Sequence, residues 1–122
     1  MTVFAWWAPP LALMAAIYFL SSLPTVPKVP GDPSNFLGHF GAYAVLSALT
    51  LRAVARGRWA GVTPRAALAA WAVSAAYGVT DEVHQRYVPG RYASVDDWIA
   101  DALGAAVAAV ALLVLARRLR PQ

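Results

Sequence analysis

Asp81-Glu82, Asp96-Asp97, Asp101 and His39 are the side chains of this 122-residue chain best suited to chemistry. Carboxylates in a protected setting can take up a proton as general bases, grip a cationic group, or share a divalent ion with an imidazole. Helical spacing groups them. Gly78, Glu82 and Gln85 share one face, Tyr77, Asp81 and His84 a neighbouring one. Asp97 and Asp101 align with Gly104, and His39 and Tyr43 lie one turn apart. Pro89-Gly90 predicts a tight turn that holds Arg91 over the helix ends, where a guanidinium can grip phosphate or carboxylate. The candidate ligand-binding set is therefore His39, Tyr43, Asp81, Glu82, Gln85, Arg91, Asp97 and Asp101. Glu82 and Asp81 are the candidates for a general base, and Glu82, aligned with Gln85 and Gly78, is the one expected to face a cavity.

Each of these residues also has a plain structural use. Asp81 and Glu82 can close a helix end by pairing with Arg86 or Arg91, and Arg91 can bridge to Asp97 or Glu82. Ser94 and Asp97 have the spacing of a capping box, and Asp96 suits the positive end of a helix. Asp101 lies beyond capping range and needs a partner such as His39 or Arg91. No spacing is diagnostic of a metal site, so no metal or other cofactor is expected. Without cysteine, disulfides, thiolate ligands and thiol nucleophiles are excluded.

The elements that position these groups are four apolar segments, at about 3–20, 36–54, 65–85 and 95–116. The chain is 60% apolar and 13% charged, against about 25% charged in soluble domains. It has too little polar surface to dissolve, and loops too short for a second core. The expectation is an all-α integral membrane bundle of four transmembrane helices, forming one domain over residues 1–122. The first segment lacks a basic start and a small-residue cleavage site, so it is expected to be retained. Pro9-Pro10 should kink or delay the first helix. Ser21 to Asn35, with Pro24, Pro27, Pro30 and Pro33, should be an extended, ordered crossing segment. Small residues should let the helices approach closely.

The basic residues sort by side. Arg52, Arg56, Arg58 and Arg65 fill the middle connection, and Arg117, Arg118 and Arg120 the tail, while the first and third connections hold only Lys28, Arg86 and Arg91. Excess positive charge marks cytoplasmic loops, so both termini are expected in the cytoplasm. Asp81 lies sixteen residues from Arg65 and Asp101 sixteen from Arg117, about 24 Å of helix each. His39 is thirteen residues from Arg52, about 20 Å on the same scale. Asp81, Glu82, Asp101 and His39 should thus share a layer at the outer interface, where ionisable groups are expensive and a functional role is the default expectation. Trp6, Trp7, Trp59 and Trp98 lie near segment ends, where indoles favour the interface.

Four strings carry a resemblance: Ile17-Tyr18-Phe19-Leu20-Ser21-Ser22-Leu23-Pro24; His39-Phe40-Gly41-Ala42-Tyr43; Asp81-Glu82-Val83-His84-Gln85-Arg86-Tyr87-Val88-Pro89-Gly90-Arg91; and Asp96-Asp97-Trp98-Ile99-Ala100-Asp101-Ala102-Leu103-Gly104. In this order they resemble the VanZ-like family. The chain departs from the family's usual pattern in carrying Asn35-Phe36 for Asp-Lys and Asp101 for Asn. The resemblance implies a multi-pass protein of the bacterial cytoplasmic (inner) membrane, associated with the cell envelope and with low-level teicoplanin resistance.

Together these features favour a binding protein over an enzyme. An outward-facing polar pocket would take a lipid head group, a lipid-linked cell-wall precursor or a glycopeptide, with membrane lipids as surroundings and oligomers allowed. Nucleic acid is not an expected partner, because the basic residues flank apolar segments. The alternative is an intramembrane carboxylate- or metal-dependent enzyme acting on a lipid-linked envelope substrate. A small proton-coupled transporter is a third reading, and would require oligomerisation.

Overall fold

The computed structural model describes residues 2–26, 30–31 and 35–120. Within the first connection, Pro27, Lys28 and Pro33 lie outside the described residues, as does Asp32. Helix α1 covers Val3–Ser21, α2 Phe36–Val54, α3 Pro64–Gln85 and α4 Val95–Leu119, with a single 3-10 turn at Trp59–Gly61 between α2 and α3. No strand occurs among the described residues.

Local chemistry sets the boundaries. Thr63 Oγ1 accepts the Ala66 N–H at 3.1 Å and Pro64 occupies the first turn, so α3 begins with a cap and a residue that has no donor to orphan. Ser94 Oγ accepts the Asp97 N–H at 3.4 Å at the start of α4, with Asp96 and Asp97 in the first turn and Arg117 and Arg118 in the last. Those charges oppose the helix dipole at both ends. α1 is not delayed by its prolines: it starts at Val3 and carries Pro9 and Pro10 inside, with Pro10 buried.

The flanks of the bundle are apolar, and its interior sets buried polar side chains beside Leu46, Leu51 and many alanines. Phe4, Leu11, Phe19, Leu68, Tyr18 and Val110 are more than half exposed. Ser47, Thr50, Ser74, Gln85 and Asp101 are at or below 1% exposure. Such an arrangement is stable where the surroundings are as apolar as the helix faces. α1, α2 and α4 are long and apolar enough to cross a membrane. α3 has 22 residues but concentrates its polarity inward, at Ser74, Gly78, Asp81, Glu82 and Gln85, while Leu68, Val73, Val79 and Val83 face out.

Small residues bring the backbones together. A methyl group placed on Gly104 would overlap the Phe40 carbonyl, so α4 and α2 touch backbone to backbone there. Ser47 Oγ donates to Ala105 O at 2.8 Å along the same seam. Trp71 and Trp98 tie α3 to α4, their indole N–H groups donating to Ala102 O at 3.1 Å and Ala75 O at 3.0 Å. Trp98 is therefore an interhelical donor as well as a residue near a helix end. Tyr77 donates to Met14 O at 2.6 Å and fastens α1 to α3.

The two ends differ in charge. At one, Arg120 donates to Val62 O at 2.6 Å, which joins the tail to the connection between α2 and α3. The Arg52 guanidinium lies 5.1 Å over the Trp6 ring at this same end. The opposite end gathers the acidic residues of α3 and α4.

Candidate functional site

The acidic end of the bundle, opposite the arginine-rich one, holds a polar niche assembled from all four helices. His39 on α2 meets Asp101 on α4, Nδ1 to Oδ1, at 2.8 Å, and its Nε2 lies 3.7 Å from Asp97 Oδ2. Asp101 is fully buried. Of the two partners expected for Asp101, His39 is the one it has. Asp81 accepts hydrogen bonds from Ser21 Oγ at the end of α1 and from the Tyr43 hydroxyl, the latter at 3.3 Å. Glu82 Oε2 accepts the Ser94 N–H at 2.8 Å. That bond completes the cap of α4 from a neighbouring helix, in place of the reciprocal bond a capping box would draw from Asp97.

His39, Tyr43, Asp81, Gln85 and Arg91 line one cavity of about 280 Å³, with Ser21, Asn35 and Gly38 beside them and Ile17, Leu20, Val26 and Ala42 as its apolar wall. Glu82 lines a separate groove of about 210 Å³ between α3 and α4, with Ser94 and Trp98. Glu82 was expected to face the cavity with Gln85; it lines this second hollow, and Asp81 is the acid that shares the first with Gln85. Neighbouring helical residues point about 100° apart, and spacing alone does not tell how a helix is rotated against its partners. The two acids still converge, because one ligand-type atom from each of His39, Asp81, Glu82 and Asp101 lies within 4.8 Å of the others.

Arg91 follows a tight turn in which Gly90 has φ +81° and the Arg91 N–H donates to Val88 O at 3.1 Å. Its guanidinium bridges to neither Asp97 nor Glu82. It donates instead to Leu20 O at 3.3 Å, in the last turn of α1, and to Leu23 O at 3.1 Å, just beyond the helix. Arg86 likewise closes no ion pair with Asp81 or Glu82 among the described residues, where the ion pairs are those of His39.

Some residues of the site had only a weak sequence signal. Ser21 binds Asp81 directly. Ser22 Oγ lies 2.9 Å from His84 Nε2, and the His84 ring stacks on Tyr18 at 4.3 Å, so His84 joins α3 to α1. A pair of hydroxyls ending an otherwise uncharged segment, level with the acids of α3, is the feature that could have marked them.

This arrangement can hold a cationic or hydrogen-bonding group against Asp81, or an anionic one against Arg91, with an apolar wall alongside. No curated protein and no solved structure matches the chain. A family model described as VanZ/LLP1 does match, over residues 9–116, from within α1 to within α4. Its span takes in every residue of the niche, and the chain belongs to the VanZ/LLP1 family.

Proposed function

We propose that this VanZ-family membrane protein crosses the bacterial cytoplasmic membrane four times with both termini inside, and that its outer niche binds the polar head of an amphiphilic envelope component. The ligand class is a lipid head group, a lipid-linked cell-wall precursor or a glycopeptide. Held there, it would alter the access of a drug such as teicoplanin to the envelope. The observation that carries the reading is the cavity wall, which changes from Ile17, Leu20, Val26 and Ala42 to His39, Asp81 and Arg91 within one hollow. An amphiphile has the same division: the head needs a few convergent polar groups, and the chain needs an apolar surface. α3 joins the other three as a span because its acids are buried in the bundle, where an ionisable residue escapes lipid contact. The arginines at the opposite end favour a cytoplasmic position for the tail and the α2–α3 connection.

The test is native mass spectrometry of the purified protein with identification of co-purifying lipids. The wild type should retain a polar-headed amphiphile that Asp81→Asn and Arg91→Ala lose. The same bound species at the same occupancy in all three proteins would defeat the reading.

A further inference from the structure

Four side chains from three helices crowd one point in the niche. His39, Asp81, Glu82 and Asp101 each offer one ligand-type atom, all within 4.8 Å of one another. The three acids are 6%, 8% and 0% exposed. Two of their oxygens, Glu82 Oε1 and Asp101 Oδ2, are buried and accept no hydrogen bond among the described residues. A buried carboxylate with unused lone pairs is costly unless it is paired or coordinates a metal. Three of them at this separation also repel one another, and His39 is the one ion-pair partner they have among the described residues.

The remaining oxygens are held by donors. Ser21 and Tyr43 hold Asp81, the Ser94 N–H holds Glu82, and His39 holds Asp101. In Glu82 and Asp101 a donor fixes one oxygen and leaves the other free, as outer-shell partners of metal ligands do, whereas both oxygens of Asp81 are engaged. Distances agree with this. Adjacent ligands on a six-coordinate ion with bonds of about 2.1 Å sit about 3 Å apart, and opposite ones about 4.2 Å. The 2.8 Å contact of His39 Nδ1 with Asp101 Oδ1 is a hydrogen bond, which leaves Oδ2 as the Asp101 atom free for an ion. The 4.8 Å envelope exceeds the opposite-ligand spacing by an amount that small side-chain rotations remove.

We propose that the niche binds one divalent transition-metal cation through His39, Asp81, Glu82 and Asp101. The inference rests on the binding reading above for the place of the niche and adds what occupies its floor. One imidazole with carboxylate oxygens suits Mn²⁺, Fe²⁺ or Zn²⁺, and without a thiolate there is no preference for softer ions. Two positive charges there would take up both orphaned oxygens and offset the mutual repulsion of the acids.

The test uses the full chain in nanodiscs, stripped with chelator and titrated with Mn²⁺ alone, with free Mn²⁺ followed by electron paramagnetic resonance. The expected result is one Mn²⁺ per chain at micromolar affinity, with a nitrogen coupling in the pulsed spectrum that His39→Gln removes. Asp101→Asn and Glu82→Gln should each weaken binding at least tenfold, while Asp96→Asn, at an exposed acid on the same helix, should leave it unchanged. Wild-type protein bound to Mn²⁺ should also melt at a higher temperature and return to its starting value with chelator, a readout that needs no variant. Absence of stoichiometric binding, no melting shift, or full affinity in both Asp101→Asn and Glu82→Gln would overturn the proposal. Lipid retention by the chelated protein separates the two readings. A retained amphiphile without Mn²⁺ binding removes the metal alone, and Mn²⁺ binding without a retained amphiphile removes the head-group reading alone.

Discussion

At the scale of single residues, the His39–Asp101 pair is where one substitution should do most damage. Asp101 has no exposed surface, and its ion-pair partner is His39 at 2.8 Å. His39→Ala leaves that carboxylate buried and uncompensated, and breaking such a pair costs about 3–5 kcal/mol. Adding Asp101→Asn should recover a large part of the loss, because the second change removes the stranded charge. Thermal unfolding of the two single variants and the double variant measures this coupling. Ser21→Ala should cost about 1–3 kcal/mol by taking a donor from Asp81, and the same melts check it. The acids and His39 were legible from the sequence because ionisable residues stand out in apolar segments. Their partners were only partly so. Arg91 had visible carboxylates within reach in sequence, yet it donates to the carbonyls of Leu20 and Leu23, and backbone acceptors leave no mark in residue types.

At the scale of elements, the contact of α2 with α4 depends on Gly104. Its hydrogen faces the Phe40 carbonyl, and a methyl group would overlap that backbone. Gly104→Ala should therefore force the helices apart and cost about 1–3 kcal/mol. Gly41→Ala, on the exposed side of α2 with nothing within 4 Å of the added carbon, should be neutral or stabilising by up to about 1 kcal/mol. Equal melting temperatures for the two variants would remove the close-packing account. The positions of the four helices were readable because uncharged stretches alternate with Pro, Gly and Arg. Helix rotation was not, which is why Asp81 and not Glu82 shares a cavity with Gln85. The Gly104 contact was also hidden, since Ala and Gly recur all along α4 and only the packed fold selects the one that touches. The prolines do not delay α1, which runs from Val3 through Pro9 and Pro10.

At the scale of the whole molecule, the proposed function requires a niche that opens away from the arginine-rich end and outside the cell. The two-ended charge pattern was plain in the sequence, whereas the cavity at the acidic end is a property of packing. Because the chain has no cysteine, single thiols can report sidedness against a silent background. Val26→Cys places one in the cavity wall, Tyr92→Cys on an exposed residue of the α3–α4 connection, and Arg58→Cys in the α2–α3 connection. The decisive measurement is labelling of intact cells with a membrane-impermeant maleimide, before and after permeabilisation. Val26→Cys and Tyr92→Cys should react in intact cells, and Arg58→Cys only once the membrane is opened. Labelling of Arg58→Cys in intact cells, with Val26→Cys and Tyr92→Cys protected until permeabilisation, would contradict an outward-facing niche.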